Sequence, residues 1–343
     1  MKAYKTAGEI KVGVVGYGGA FNMGRAHLWE MQRAGMTPVA VAELDAARLE
    51  VAGKDFPGIQ TYPTLTAMLK KSDVNLVTVI TPHNTHAKLA LEALKAGRNV
   101  VCEKPLAIST AECDAMIAAA KRGKLVLSTY HNRHWDGHIL KAVEIIRGGA
   151  IGDVVRVDVQ MGGWGKPGDW WRSSKSISGG ILYDWGVHLL EYTLQIVNSE
   201  ITEVSGHAWS GVWANQTKWK QDTNEDDACA VVRYASGAWS TLSISSIDGR
   251  PTPSWFKVTG SKGTYIMDWN SYELITHDGP LTITTRGPNV PAEGWKFYQN
   301  IADHLVKGEK LIITPEWSRR PIHILDLADK STKKGMALKA KYA

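Results

Sequence analysis

Three short stretches carry side chains whose types and spacing could do chemistry. The first, EIKVGVVGYGGAFNMGRAH from Glu9 to His27, runs a β-branched segment into a glycine turn. In a dinucleotide-binding turn the first glycine permits the bend, the second lets backbone approach a pyrophosphate, and the third lets helix pack on strand. Gly16 and Gly18 meet the first two needs and Gly19 widens the freedom of the turn. The position of the third holds Phe21, and the next glycine is Gly24. An insertion over Phe21 to Met23 accounts for the offset, leaving N–H groups of Ala20, Phe21 and the following helix start to face a phosphate. Glu43 stands 25 residues after Gly18, at the end of PVAVA. There its carboxylate would accept the adenosine ribose hydroxyls and repel a 2′-phosphate, which favours NAD over NADP.

The second stretch is VVCEKPLA, Val100 to Ala107. It places Glu103 and Lys104 directly after a buried segment, and a lysine beside a nicotinamide can polarise an alcohol or carbonyl oxygen. The third is SGGILYDWGVHLLEY, Ser178 to Tyr192, where Asp184 and His188 lie four apart on a predicted helix spanning Leu182 to Val197. His188 has the chemistry of a general base, and Asp184 is spaced to orient it or to bind a neighbouring hydroxyl.

The elements that must position these groups follow from hydrophobic periodicity. Runs at Ile10–Val15, Pro38–Ala42, Asn75–Ile80, Asn99–Cys102 and Leu125–Leu127 alternate with amphipathic stretches at Asp45–Lys54, Leu65–Lys71, His86–Ala96 and Thr110–Arg122. That alternation predicts a doubly wound parallel sheet over residues 8–128, with ligands bound beyond the carboxyl ends of its strands. Gly16, Glu43, Thr81 and Glu103 each follow a run and therefore share that edge. From about residue 130 the pattern changes: a helix at Gly137–Ile146, then β-like runs separated by turn residues, with helices near Leu182–Val197 and Phe297–Val306. Residues 129–343 read as a second, α+β domain on a mostly antiparallel open sheet.

Composition bounds the function. The chain has 343 residues, 44% hydrophobic and 22% charged, enough for two globular domains. Its net charge of +6 comes from 40 basic and 34 acidic residues spread along the whole chain, which excludes a nucleic-acid stripe. No apolar run is long enough to span a bilayer. The three cysteines form no CxxC pair, no metal set is spaced for a site, and a reducing cytoplasm is the expected compartment. Tryptophan is the anomaly: 14 against 4 phenylalanines, seven of them between Trp164 and Trp219. Most serve packing, but indole faces with one N–H donor also suit sugar rings.

Taken together, the glycine turn, ITPHNTH at Ile80 to His86, EKP at 103–105, HNRHW at 131–135, WR at 171–172 and GGILYDWGVH at 179–188 resemble the Gfo/Idh/MocA oxidoreductases. The resemblance covers about two thirds of the chain. It implies a nicotinamide cofactor acting on a secondary hydroxyl of a sugar, sugar derivative or cyclitol, and a second domain that serves both substrate binding and assembly into a homodimer or homotetramer. It also implies a catalytic set of Lys104, Asp184 and His188, with Thr81, Pro82, His86, Glu103 and Asn132 at the cofactor and Trp164, Trp171 and Arg172 on the substrate wall. The same family contains NAD-dependent glycoside hydrolases that work by transient oxidation and elimination; a non-catalytic sugar and nucleotide sensor is the third reading. Two departures stand out: the insertion in the glycine turn, and His134 where many relatives have arginine.

Overall fold

The computed structural model describes residues 4–342. The chain divides into two compact units, one running through Asn132 and taking in Trp295–Arg319, the other made of Arg133–Gly294 and the chain from Arg320 onward.

In the first unit six strands form one parallel sheet: β1 (Lys11–Val15), β2 (Thr37–Ala42), β3 (Gln60–Tyr62), β4 (Leu76–Val79), β5 (Asn99–Cys102) and β6 (Leu127–Thr129). Their order is β3-β2-β1-β4-β5-β6, and every pairing is parallel. β4 and β5 are buried along their whole length because helices cover both faces, which is why they read as unbroken apolar runs. The strand order reverses between β1 and β4, so their carboxyl ends open the crevice of a doubly wound sheet.

The structure departs from a simple division at residue 129. The helix Lys296–Lys307 belongs to the first unit, since its apolar stripe of Phe297, Tyr298, Ile301 and Leu305 is buried there. Tyr130 meets the rings of Phe297 and Tyr298 at 5.0 and 5.7 Å, and His27 meets Tyr130 at 4.2 Å. An amphipathic helix must bury its stripe somewhere, and a linear reading of the chain does not say where.

The second unit holds nine strands: β7 (Val154–Gly162), β8 (Ile201–Trp209), β9 (Asp227–Tyr234), β10 (Trp239–Ser245), β11 (Phe256–Gly260), β12 (Gly263–Met267), β13 (Ser271–Asp278), β14 (Leu281–Pro288) and β15 (Leu338–Lys339). They are ordered β14-β13-β12-β11-β7-β10-β9-β8-β15. Among the described residues of this unit the β7–β10 pair alone is parallel, joined by a crossover that carries the helices between them, and the other pairs are antiparallel. Helix Gly186–Ile196 is buried at every position and packs on β10 and β7, with Gly137–Arg147 beside it. The alternating burial of β9 and β10 shows that one face of the sheet is covered by these helices and the other is half-exposed.

Candidate functional site

Within the first unit the expected groups converge on one sheet edge. Gly16 takes φ +98°, and a Cβ there would lie 2.3 Å from the Ile80 carbonyl oxygen, so no other residue fits the bend. At Gly18 a Cβ would meet nothing within 4 Å, which leaves the backbone open to a ligand. The third glycine is found again at Gly24: a Cβ there would sit 3.0 Å from the Gly16 carbonyl oxygen and 2.5 Å from the Tyr17 ring. Close packing of helix on strand is the work of the third glycine in such turns, and Gly24 does it from the far side of a three-residue bulge. Within the bulge, Asn22 takes a left-handed backbone (φ +50°) and opens the helix Met23–Arg33 without a side-chain cap. The first N–H groups of that helix are therefore left for an anion, as a pyrophosphate requires.

The turn is braced by residues that periodicity does not reveal. Arg48 donates through Nε to the Tyr17 carbonyl at 2.8 Å, and its guanidinium lies beside Gly19. Tyr17 donates its hydroxyl to Asp55 at 2.8 Å, and Arg25 donates to the same oxygen at 2.7 Å. Burial works to raise the Asp55 carboxyl, but the bonds from Arg25 and Tyr17 outweigh it and hold the group below the usual carboxylate range. Burial and the Asp55 carboxylate push the Tyr17 phenol up. Glu43 ties the turn to the end of β2, accepting from Tyr17 N at 2.6 Å, Leu44 N at 2.7 Å and Asp45 N at 3.1 Å. Oε1 accepts from both Leu44 and Asp45, whereas Oε2 accepts only from Tyr17 and keeps a lone pair that a ribose hydroxyl can use.

Further along this edge, Thr81 is half-buried and pairs with Thr85 at 2.6 Å, which in turn donates to the Pro82 carbonyl at 2.7 Å. Lys104 and Asn132 are half-buried, and the Lys104–Pro105 peptide is cis. Ala20 and Phe21 are exposed on the bulge. His86 and Glu103 both bond inward to protein groups. His86 is fully buried and its two ring nitrogens lie 2.7 Å from the Pro105 carbonyl and 2.8 Å from the Thr81 carbonyl, so it shapes this edge from behind. Burial lowers its imidazole from the ordinary histidine value against the pull of those two carbonyls and of Glu103. Glu103 turns inward, 3.0 Å from His27 Nε2, and accepts Lys104 N–H at 2.8 Å. Burial works to raise its carboxyl, but the His27 bond and the nearby charges hold it below the usual range.

The second unit places Asp184, His188 and the tryptophans. The predicted helix from Leu182 is broken: a single turn at Ile181–Tyr183 precedes Asp184, and the α-helix begins only at Gly186. Asp184 thus stands before the helix and His188 in its first turn. Asp184 accepts from Arg172 Nη1 at 2.5 Å, and the guanidinium is held over the Trp170 and Trp171 rings at 5.2 and 5.1 Å. This is an ion pair with stacked walls, a geometry that planar guanidinium suits and ammonium does not. His188 is buried, its ring 5.7 Å from Trp185, and Arg133 covers that indole at 4.9 Å. Trp164 is 66% exposed and meets Trp213 edge-on at 5.6 Å. His134 pairs with the buried Glu191 at 2.5 Å, and Gln195 donates to the same carboxylate at 3.0 Å.

A six-stranded parallel sheet with this strand order and this glycine turn is the architecture of a dinucleotide-binding domain. The chain belongs to the Gfo/Idh/MocA family: residues 10–131 match the oxidoreductase family's NAD-binding Rossmann fold, and residues 139–266 its C-terminal domain. It is 27% identical over 361 residues to the scyllo-inositol 2-dehydrogenase (NADP(+)) IolW of Bacillus subtilis, covering 97% of this chain and 96% of that one. It is 28% identical over 262 residues to the myo-inositol 2-dehydrogenase of Thermotoga maritima, covering 76% and 75%. A levoglucosan dehydrogenase solved with NADH and levoglucosan shares the fold at a TM-score of 0.82 and 19% identity, covering 97% and 99%.

Proposed function

We propose that this protein is a dehydrogenase exchanging a hydride between a secondary hydroxyl of a sugar or cyclitol and a nicotinamide cofactor, with NAD preferred to NADP. The observation that carries the reading is the glycine turn: an uncapped helix start, an open Gly18 and a carboxylate at the end of β2 form one cradle. Gly16, Gly18, Gly19, Glu43 and the N–H groups at the start of Met23–Arg33 would hold the dinucleotide, which when bound supplies the hydride acceptor. His188 takes the hydroxyl proton, Lys104 steadies charge on the substrate oxygen, and Asp184 with Arg172 binds a neighbouring hydroxyl beside the Trp170 and Trp171 faces. The inositol dehydrogenases among its relatives support a polyhydroxylated ring as substrate. A turnover screen of sugars, cyclitols and aryl glycosides with each cofactor tests it, following reduced cofactor and free aglycone together. Substrate-dependent net NADH is the expected outcome; release of aglycone without net NADH would overturn the reading in favour of redox-neutral hydrolysis.

A further inference from the structure

Lys104 sits in the chain between two residues that are each gripped by a buried histidine. On its N-terminal side Glu103 Oε1 lies 3.0 Å from His27 Nε2, and the other nitrogen of His27 is 2.6 Å from the Tyr298 hydroxyl. Tyr298 is itself fully buried in the helix Lys296–Lys307, with Thr78 Oγ1 at 3.4 Å. On the C-terminal side the Pro105 carbonyl is 2.7 Å from His86 Nδ1, and His86 Nε2 reaches back to the Thr81 carbonyl at 2.8 Å. His27, His86 and Tyr298 are all 0% exposed, so none can touch a bound molecule. Buried polar rings cost stability unless their bonds are made, and apolar rings of similar shape would fill this interior without that cost. Here the bonds of all three lead to the residues on either side of one lysine.

We propose that His27, Tyr298 and His86 are positioning residues for Lys104, fixing the backbone on both sides of it and tying it to the Thr81–Pro82 segment. A lysine side chain is a flexible four-carbon stem, so its aim is set by how rigidly its Cα is held. Reacting groups tolerate errors of only about 0.5 Å, which a loose surface turn does not guarantee. The proposal rests on the reading of Lys104 as the group that steadies charge on the substrate oxygen.

The test uses Tyr298→Phe, which removes one hydroxyl and keeps the ring, and His86→Gln as a second, independent cut. Each is expected to lower kcat about five- to tenfold, the loss of one hydrogen bond, while NAD affinity stays within about threefold. In a Lys104→Ala background the same substitutions should change the remaining turnover less than about twofold, because positioning residues couple to what they position. A readout without cofactor or turnover accompanies this. After reductive methylation with ¹³C, the Lys104 methyl resonance, assigned by its loss in Lys104→Ala, should shift or broaden in both variants. Ile301→Val in the same helix is the control; it should lower Tm and leave kcat and that resonance alone. Parent-like kcat with an unmoved resonance in both variants overturns the positioning role and leaves only a contribution to folding. Parent-like turnover of Lys104→Ala overturns the proposal from the other side, by removing the role of the lysine itself.

Discussion

His188 and Asp184 were legible as letters four apart, but the ion pair of Asp184 was not, because its partner Arg172 lies twelve residues upstream and meets it only through the fold. Replacing Arg172 with Lys keeps the charge and loses the planar guanidinium that lies over Trp170 and Trp171. We expect the substrate KM to rise about tenfold or more with NAD affinity unchanged, as measured by steady-state kinetics and cofactor fluorescence titration. His188→Asn should fold and bind NAD normally and lose about a hundredfold to ten-thousandfold in kcat, the range of a positioned proton acceptor. A folded variant with near-normal turnover would move the base elsewhere, with Lys104 the next group to replace. Glu43 lay in plain view at the end of an apolar run, whereas Arg48, which braces the same turn, gave no periodic signal. Charge-assisted bonds to ribose contribute on the order of 1.5–3 kcal/mol, so NAD should bind at least tenfold more tightly than NADP. Tighter binding of NADP in parallel titrations would overturn the role of Glu43 in the choice.

At the scale of elements, the bulged turn makes three glycines of one motif separable by experiment. Gly16→Ala forces a Cβ against a backbone oxygen at a positive φ and should not yield folded protein. Gly24→Ala presses on the Tyr17 ring, which Asp55 holds in place, and should cost about 1–3 kcal/mol of stability together with NAD affinity. Gly18→Ala meets only open space, so its Tm should match the parent while NAD binding weakens, because a methyl now stands where the backbone should approach phosphate. Thermal melts and NAD titration of the set check this; a Gly18→Ala protein that binds NAD like the parent would place the phosphates elsewhere. The strands flanked by strong apolar runs were readable from periodicity. β3 was not, being three polar-flanked residues at a sheet edge, nor was β13, where Tyr272, Leu274 and Thr276 alternate with Glu273 and His277 on a two-sided strand. The helix Pro315–Lys334 was hidden by Pro321 inside it, which a sequence reading takes as a stop. The break at Asp184 is signalled only weakly: Asp184 and Gly186 suit a helix start, but the apolar pattern runs on through both sides of them.

The whole molecule carries a pH signature set by buried imidazoles. Burial holds His138 below the ordinary histidine value, the Asp136 carboxylate opposing and the Arg133 charge reinforcing. His138 is enclosed by the rings of Tyr192, Trp255 and Trp269 at 5.2–5.5 Å. Because its folded-state affinity for a proton is depressed, the unfolded chain takes up that proton first as pH falls through about 6.5, and stability declines in that direction. His86 adds in the same sense. Denaturation midpoints should therefore fall between pH 7.5 and pH 5.5, and His138→Phe should flatten part of that slope; parallel slopes for parent and variant would remove His138 from the account. Two domains were legible from the change of texture near residue 130. Their interleaving was not, because a helix with an apolar stripe shows that it needs a partner without showing which one.

That interleaving has a consequence for how the chain comes to exist. The sheet that begins at Lys11 is not closed until Phe297 and Tyr298 arrive beside Tyr130 and His27, and residues 133–294 must be made first. At ribosomal rates of about 5–20 residues per second, the N-terminal half waits roughly 10–30 s with that apolar face uncovered. Messenger lesions that stop synthesis shortly after Asn132 should therefore leave an insoluble fragment, because the helix that covers this sheet has not yet been made.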